Sequence, residues 1–148
     1  MSLRPDIVVR DPEGRAVVGV EVKARQGVDA SWAAQFRRNL RVHGLDGTAP
    51  FFMIVTAKDV YLWHQREPHD GTAERPPDAT ARLRELVGDD TVPVDVDGRT
   101  LELIVQSWLA TIARMNRPAE VPAAARQLLV DSGLFDALWG SVVEFEPA

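Results

Sequence analysis

Cysteine is absent from the 148 residues, which removes disulfides, thiol nucleophiles and thiolate metal centres together. A metal would have to be held by carboxylates, histidines or backbone carbonyls, and hard cations such as Mg²⁺ come first. Histidine is scarce: His43, His64 and His69 are the only three. They form no HExxH frame, and no Ser-His-Asp arrangement can be argued from them. With no glycine-rich phosphate loop, nucleotide hydrolysis is not supported. No apolar run reaches the roughly 18 residues of a membrane span, and residues 1–6 lack the apolar stretch of a secretory signal. The expectation is a soluble, cytoplasmic protein with no membrane partner.

What is present points to one domain over residues 1–148, since 45% of the chain is apolar and 26% charged. The net charge of −5 argues against a protein that coats nucleic acid by bulk electrostatics. Its distribution is uneven. Residues 23–43 carry Lys23, Arg25, Arg37, Arg38 and Arg41 against Asp29, a local balance of +4 that leaves −9 over the rest. Such a basic stretch suits a confined contact with a phosphate backbone, or is simply a solvated helix face.

Two short β-branched runs, 7–9 and 17–24, flank the turn string Asp11-Pro12-Glu13-Gly14 and read as a β-hairpin. From Asp29 the apolar spacing changes to Trp32, Phe36 and Leu40, one helical stripe capped by Asp29 or Ser31 and stopped by Gly44. Residues 50–55 and 60–63 read as two further strands. The polar, proline-rich residues 64–78 read as a long loop or a linker, after which 78–87 read as a short helix ending at Gly88. Leu101, Ile104, Val105, Trp108, Ile112 and Met115 mark a strongly amphipathic helix stopped near Pro118. Helical stretches at 123–130 and 134–139 follow. The expected order is a ββαββ core over 1–66 with a helical extension, 78–148, packed on it. The tryptophans fall in apolar stripes and strands, where core packing is the simpler use. Asp95-Val96-Asp97-Gly98 lacks the downstream acid of a calcium loop and reads as a turn.

Side chains alternate along a strand, so Glu21 and Lys23 share one face while Val20, Val22 and Ala24 take the other. Half-burying a carboxylate and an ammonium costs about several kcal/mol unless they are paired or bound to something. The hairpin supplies the partner. A four-residue loop sets Asp6 opposite Gly19 or Glu21, and either register puts both carboxylates on one face, whereas a three- or five-residue loop turns Asp6 to the other side. Two converging carboxylates make an oxygen site for Mg²⁺ or Mn²⁺, with the Val22 carbonyl as a third protein ligand and Lys23 beside it to orient water or stabilise phosphate charge. The plainer alternative is a surface ion pair on an edge strand, worth little.

Pro5-Asp6, Glu21-Val22-Lys23, a following helix with Gln35 and a further strand together resemble the PD-(D/E)XK nuclease superfamily. The run is most similar to the N-terminal nuclease domain of type I restriction-enzyme R subunits, over residues 4 to 63. The resemblance implies an α/β fold of restriction-endonuclease type, a mixed sheet flanked by helices. It implies Asp6 and Glu21 as metal ligands, Lys23 as the catalytic lysine, and Gln35 near the metal-bound water or the DNA. Arg25, Arg37, Arg38 and Arg41 become the expected DNA contacts. Two features depart from the pattern. The helix and strand that usually precede the Pro-Asp strand, the helix often carrying an acid, have no counterpart before Pro5, and Gln35 is followed four positions later by Asn39 rather than tyrosine. The sheet is therefore expected to be abbreviated: the chain is a fragment, or it completes its sheet by dimerisation, or the C-terminal helices substitute for the missing layer. A homodimer is expected to form through the first strand or the C-terminal helices. The expected function is a divalent-metal-dependent DNA endonuclease; the alternative is a nuclease-fold module without catalysis, serving binding or assembly.

Overall fold

A computed structural model describes residues 6–44, 49–65, 74–115 and 120–145. Pro5, the middle of the expected loop at 64–78, His69 and the helix stop near Pro118 lie outside the described residues. The element order is β1 (Ile7–Arg10), β2 (Ala16–Lys23), α1 (Ala30–Val42), β3 (Phe51–Thr56), β4 (Asp59–His64), β5 (Ala79–Arg82), α2 (Leu83–Val87), α3 (Gly98–Ala113), a 3₁₀ turn (Ala123–Ala125), a π turn (Gln127–Asp131), α4 (Leu134–Leu138) and β6 (Val142–Phe145). The fold is α/β, built on one mixed sheet of order β5-β4-β3-β2-β1-β6. Only β2 and β3, joined through α1, run parallel; the other neighbours are antiparallel.

The hairpin differs from the expected one in a way that matters for the site. Five residues, 11–15, separate Arg10 from its partner Ala16, which by itself would turn Asp6 away from Glu21. The next pair is Val9 with Val18, so Val17 is an extra residue in β2, a bulge that restores the parity. From there Ile7 pairs with Val20, and Asp6, one residue earlier, falls opposite Glu21. The turn is fixed by the Asp11 carboxylate, which accepts from the Glu13 and Arg15 amides, and by Gly14 at φ +84°.

Strand alternation divides the core between the two faces. Ile7, Val9, Val18, Val20, Val22, Met53 and Val55 meet Leu101, Val105, Trp108 and Leu109 of α3 and Leu128, Leu129 and Leu134 near the C-terminus. Phe52, Ile54, Tyr61 and Trp63 meet Ala33 and Ala34 of α1 on the opposite face. Each fully buried large side chain contributes about 1.5–3 kcal/mol. On α1 the expected stripe of Trp32, Phe36 and Leu40 lies only partly buried along the flank, and Ala33, Ala34 and Arg37 face the sheet. Small residues there let the helix lie close to Phe52 and Trp63. The helix begins at Asp29, whose carboxylate accepts from the Trp32 amide at 3.0 Å, and ends before Gly44 at φ +68°.

The C-terminal half does more than cover the sheet. Residues 79–82, expected as helix, form β5 because pairing with β4 outweighs the helix propensity of Ala79, Ala81 and Arg82; the helix proper is α2. The stretch expected as one helix at 123–130 is a 3₁₀ turn followed by a π turn. β6 was not expected. It pairs with the whole of β1, with Arg10 near Glu144 at 3.7 Å and Arg99 over the Phe145 ring at 4.9 Å. The first strand is thus not an open edge, which corrects the expectation of pairing with a second copy there. The sheet gains its extra strand from the chain itself, and the apolar face of α3, the other surface expected to dimerise, lies on the sheet. Among the described residues no helix is long and apolar enough to cross a membrane.

Candidate functional site

The strand registers gather one set of side chains at one end of the sheet. Lys23 closes β2, Thr56 closes the parallel β3, Asp59 opens β4, Arg82 closes β5 and Asp6 leads into β1. Glu21 stands in β2, between β1 and β3, with its side chain 8% exposed; Lys23 beside it is 39% exposed. The pair is therefore not a surface ion pair on an edge strand. Lys23 Nζ lies 3.9 Å from Glu21 Oε2 and 5.4 Å from the centre of the Phe36 ring.

Asp6 is fixed by its own backbone mimicry. Its Oδ2 accepts the Val22 amide at 2.8 Å, across the end of the β1–β2 ladder. Because N–H and C=O of one strand residue leave on the same side, the Val22 carbonyl also points toward the Asp6 edge. Burial, followed by the Asp6 charge and a hydrogen bond with the Asp6 carboxyl, pushes Glu21 up to about 8, against a smaller opposing pull from Lys23. One ammonium near 4 Å does not balance two carboxylates in a part-buried place.

A third acid, not singled out in the sequence, comes from α3. Glu102 is raised by burial and then by Asp6, and lowered by Arg99 and Lys23, so it shares the field of the pair. A signal for it existed: Arg99 and Glu102 are the only charged residues in the sixteen of α3. Among the described residues no three acidic or histidine side chains gather closely enough to hold an ion by themselves. A divalent cation here would rest on Asp6 and Glu21, completed by the Val22 carbonyl and water. Two hard carboxylate donors with an excess of negative charge fit such an ion.

The remaining expected residues distribute differently. Gln35 is exposed, on the side of α1 turned away from the sheet, because Ala33, Ala34 and Arg37 face inward; the structure does not bring it to the pair. Arg37 corrects the expectation of a DNA contact. It is 1% exposed, stacks over Trp63 at 5.4 Å and donates to Gln65 Oε1 at 3.1 Å, so a phosphate in solvent cannot reach its guanidinium. Arg41 donates to the same oxygen at 3.1 Å, and Gln65 donates to the Ala49 carbonyl, at the opposite end of the sheet from Glu21. Arg38 is exposed on the middle of α1. Arg25 alone of the four stands at the carboxylate end, exposed, over Trp32 at 5.6 Å. The histidines stay apart: His64 stacks on Phe51 at 4.5 Å, and His43 caps the end of α1.

No protein-family model, curated protein or solved structure matches this chain.

Proposed function

We propose that the chain is a divalent-metal-dependent nuclease of restriction-endonuclease type, hydrolysing phosphodiester bonds in DNA at the Asp6–Glu21–Lys23 end of the sheet. The observation that carries this reading is the bulged register that sets Asp6 opposite Glu21, with Lys23 on the same face. The fold agrees with it: a hairpin bearing the acids, a helix, and a strand parallel to the second hairpin strand. We read β6 beside β1, and α3 with Glu102, as the flanking strand, helix and acid of that fold.

The chemistry follows from the placement. Mg²⁺ or Mn²⁺ held there would supply a more acidic water and positive charge for a phosphate. Asp6 and Glu21 would hold the ion, Glu21 giving up its proton to do so. Val22 anchors Asp6 through its amide, which keeps the two carboxylates in register. Lys23, partly exposed and on the same face, orients the attacking water and stabilises negative charge gathering on the phosphate. Gln35 has no part in this mechanism.

The test is nicking of supercoiled plasmid in Mg²⁺ or Mn²⁺ by wild type, Lys23→Ala and Glu21→Gln. Wild type is expected to nick, and each variant to lose activity by about 10²–10³-fold, the usual worth of a group that stabilises transition-state charge, with melting temperatures showing that both variants fold. Absence of cleavage by the wild type with either ion rejects the reading. Undiminished cleavage by Lys23→Ala rejects the role of the lysine.

A further inference from the structure

A cleft of about 450 Å³ opens at the same sheet end as the carboxylate pair, walled by Gln26, Lys58, Arg82 and Arg84. Its position follows from the ladder. Gln26 lies three residues beyond Lys23 at the end of β2, Lys58 sits in the turn from β3 to β4, and Arg82 pairs with Asp59 at the end of β5. Three residues of extended chain span at most about 11 Å, so the cleft begins on the order of three nucleotides from Lys23 at 3.4 Å of rise per nucleotide.

The charges there are available. Lys58 and Arg82 are exposed and form no ion pair among the described residues, while Arg84 is braced by donating to the Asp89 carbonyl. Glu85 and Asp89 also line the cleft, which leaves three cations against two acids in a protein of net charge −5. A positive wall at the same sheet end gives a polyanion cut at the pair a place to be held, away from the Asp6 and Glu21 carboxyls. A free phosphate or a mononucleotide is too short to span both places.

We propose that the Lys58–Arg82–Arg84 cleft binds the phosphodiester backbone of the DNA strand whose scissile bond lies at Asp6 and Glu21. The proposal rests on the nuclease reading for its choice of ligand. It moves the main backbone contact from α1, where Arg37 is buried and Arg41 is tied to Gln65, to the β3–β4 turn and the β5–α2 junction.

The experiment measures binding apart from cleavage. A short fluorescein-labelled DNA oligonucleotide, single-stranded or annealed, is titrated with protein in EDTA, following anisotropy at several salt concentrations. The double variant Lys58→Ala/Arg82→Ala is expected to bind at least about tenfold more weakly. Its slope of log K against log salt should flatten by about 1.4 for the single strand or 1.8 for the duplex, the value for two lost phosphate contacts. Arg38→Ala should keep the wild-type slope. Unchanged affinity and slope in the double variant, or no binding of either DNA by wild type, overturns the cleft. Both side chains are exposed, and a melting curve confirms that the double variant is folded. Plasmid nicking separates the two proposals: a wild type that nicks while the double variant binds normally refutes the cleft and keeps the catalytic pair. A wild type that binds through the cleft and does not nick keeps the cleft and refutes catalysis.

Discussion

The two ends of the sheet handle buried charge in opposite ways. At one end Arg37 lies under α1 against Trp63, donates to Gln65, and Gln65 is held by Arg41 and the Ala49 carbonyl. At the other end Asp6 and Glu21 face each other with Lys23 at 3.9 Å, and Glu21 is driven up to about 8 by burial and by Asp6. A cation held in this way by hydrogen bonds and an aromatic face stabilises the fold and is closed to a ligand from solvent. Like charges brought together and left short of counter-charge cost stability, and a bound cation recovers that cost. The difference marks the Glu21 end, rather than the arginine-bearing Arg41 end, as the candidate site.

The contrast breaks first at Arg37. Replacing it by Met, which retains most of the apolar stem, removes a charge-assisted hydrogen bond and the stacking on Trp63, and is expected to destabilise by about 2–3 kcal/mol. Urea unfolding would show this as a lower midpoint with an unchanged slope. Plasmid nicking and the DNA salt slope should remain those of wild type. If Arg37→Met instead leaves stability intact and weakens DNA binding, the far end is a binding surface and the comparison fails.

Much of the site was legible in the sequence, for a physical reason. Charged residues at alternate positions of a β-branched run have few uses, and the period of two placed Glu21 and Lys23 together without any knowledge of the sheet. The partner acid followed from hairpin parity, although the true device is a five-residue loop compensated by a bulge at Val17, and no local pattern marks that bulge. Gln35 entered on the resemblance and Arg37 on the local charge balance, and neither signal fixes how the helix is rotated against the sheet. Alanines pack closer than aromatics, so Ala33 and Ala34 set the helix against the sheet and rotated Arg37 inward and Gln35 out. β5 and β6 escaped notice because four-residue strands draw their stability from non-local pairing, which propensity does not record. Lys58 and Arg82 are far apart in sequence, and the ladder alone makes them neighbours.

The second test uses pH. Glu21 is raised in the folded protein above its ordinary value of 4.5 to about 8, so between those values the native state holds a proton that the unfolded chain has released. Stability therefore declines as pH rises through that window and levels off above it, by an amount on the order of a few kcal/mol. Glu21→Gln should flatten the decline, as seen in urea midpoints from pH 5 to 9. Cation binding runs the other way, since the proton must leave: Mn²⁺ affinity followed by calorimetry should rise about tenfold per pH unit below 8 and flatten beyond it. A pH-independent affinity would mean that Glu21 is not a ligand.

The smallest effect expected is at Glu102, and it sharpens the comparison most finely. This carboxylate, part-buried on α3, feels Asp6 and Lys23 but is not gathered with the pair into a three-acid cluster. If its role is to add negative potential at the site, Glu102→Gln should weaken Mn²⁺ binding by roughly two- to fivefold, the worth of one nearby charge partly screened by water. The same substitution should lower the pH at which Mn²⁺ affinity levels off, because Glu102 contributes to raising Glu21. A larger loss, on the order of a hundredfold, would show that Glu102 reaches the ion as a direct ligand. No change in either quantity would leave Glu102 a surface acid bridged to Arg99 at 3.9 Å, and would confine the charge imbalance to the two strands of the hairpin.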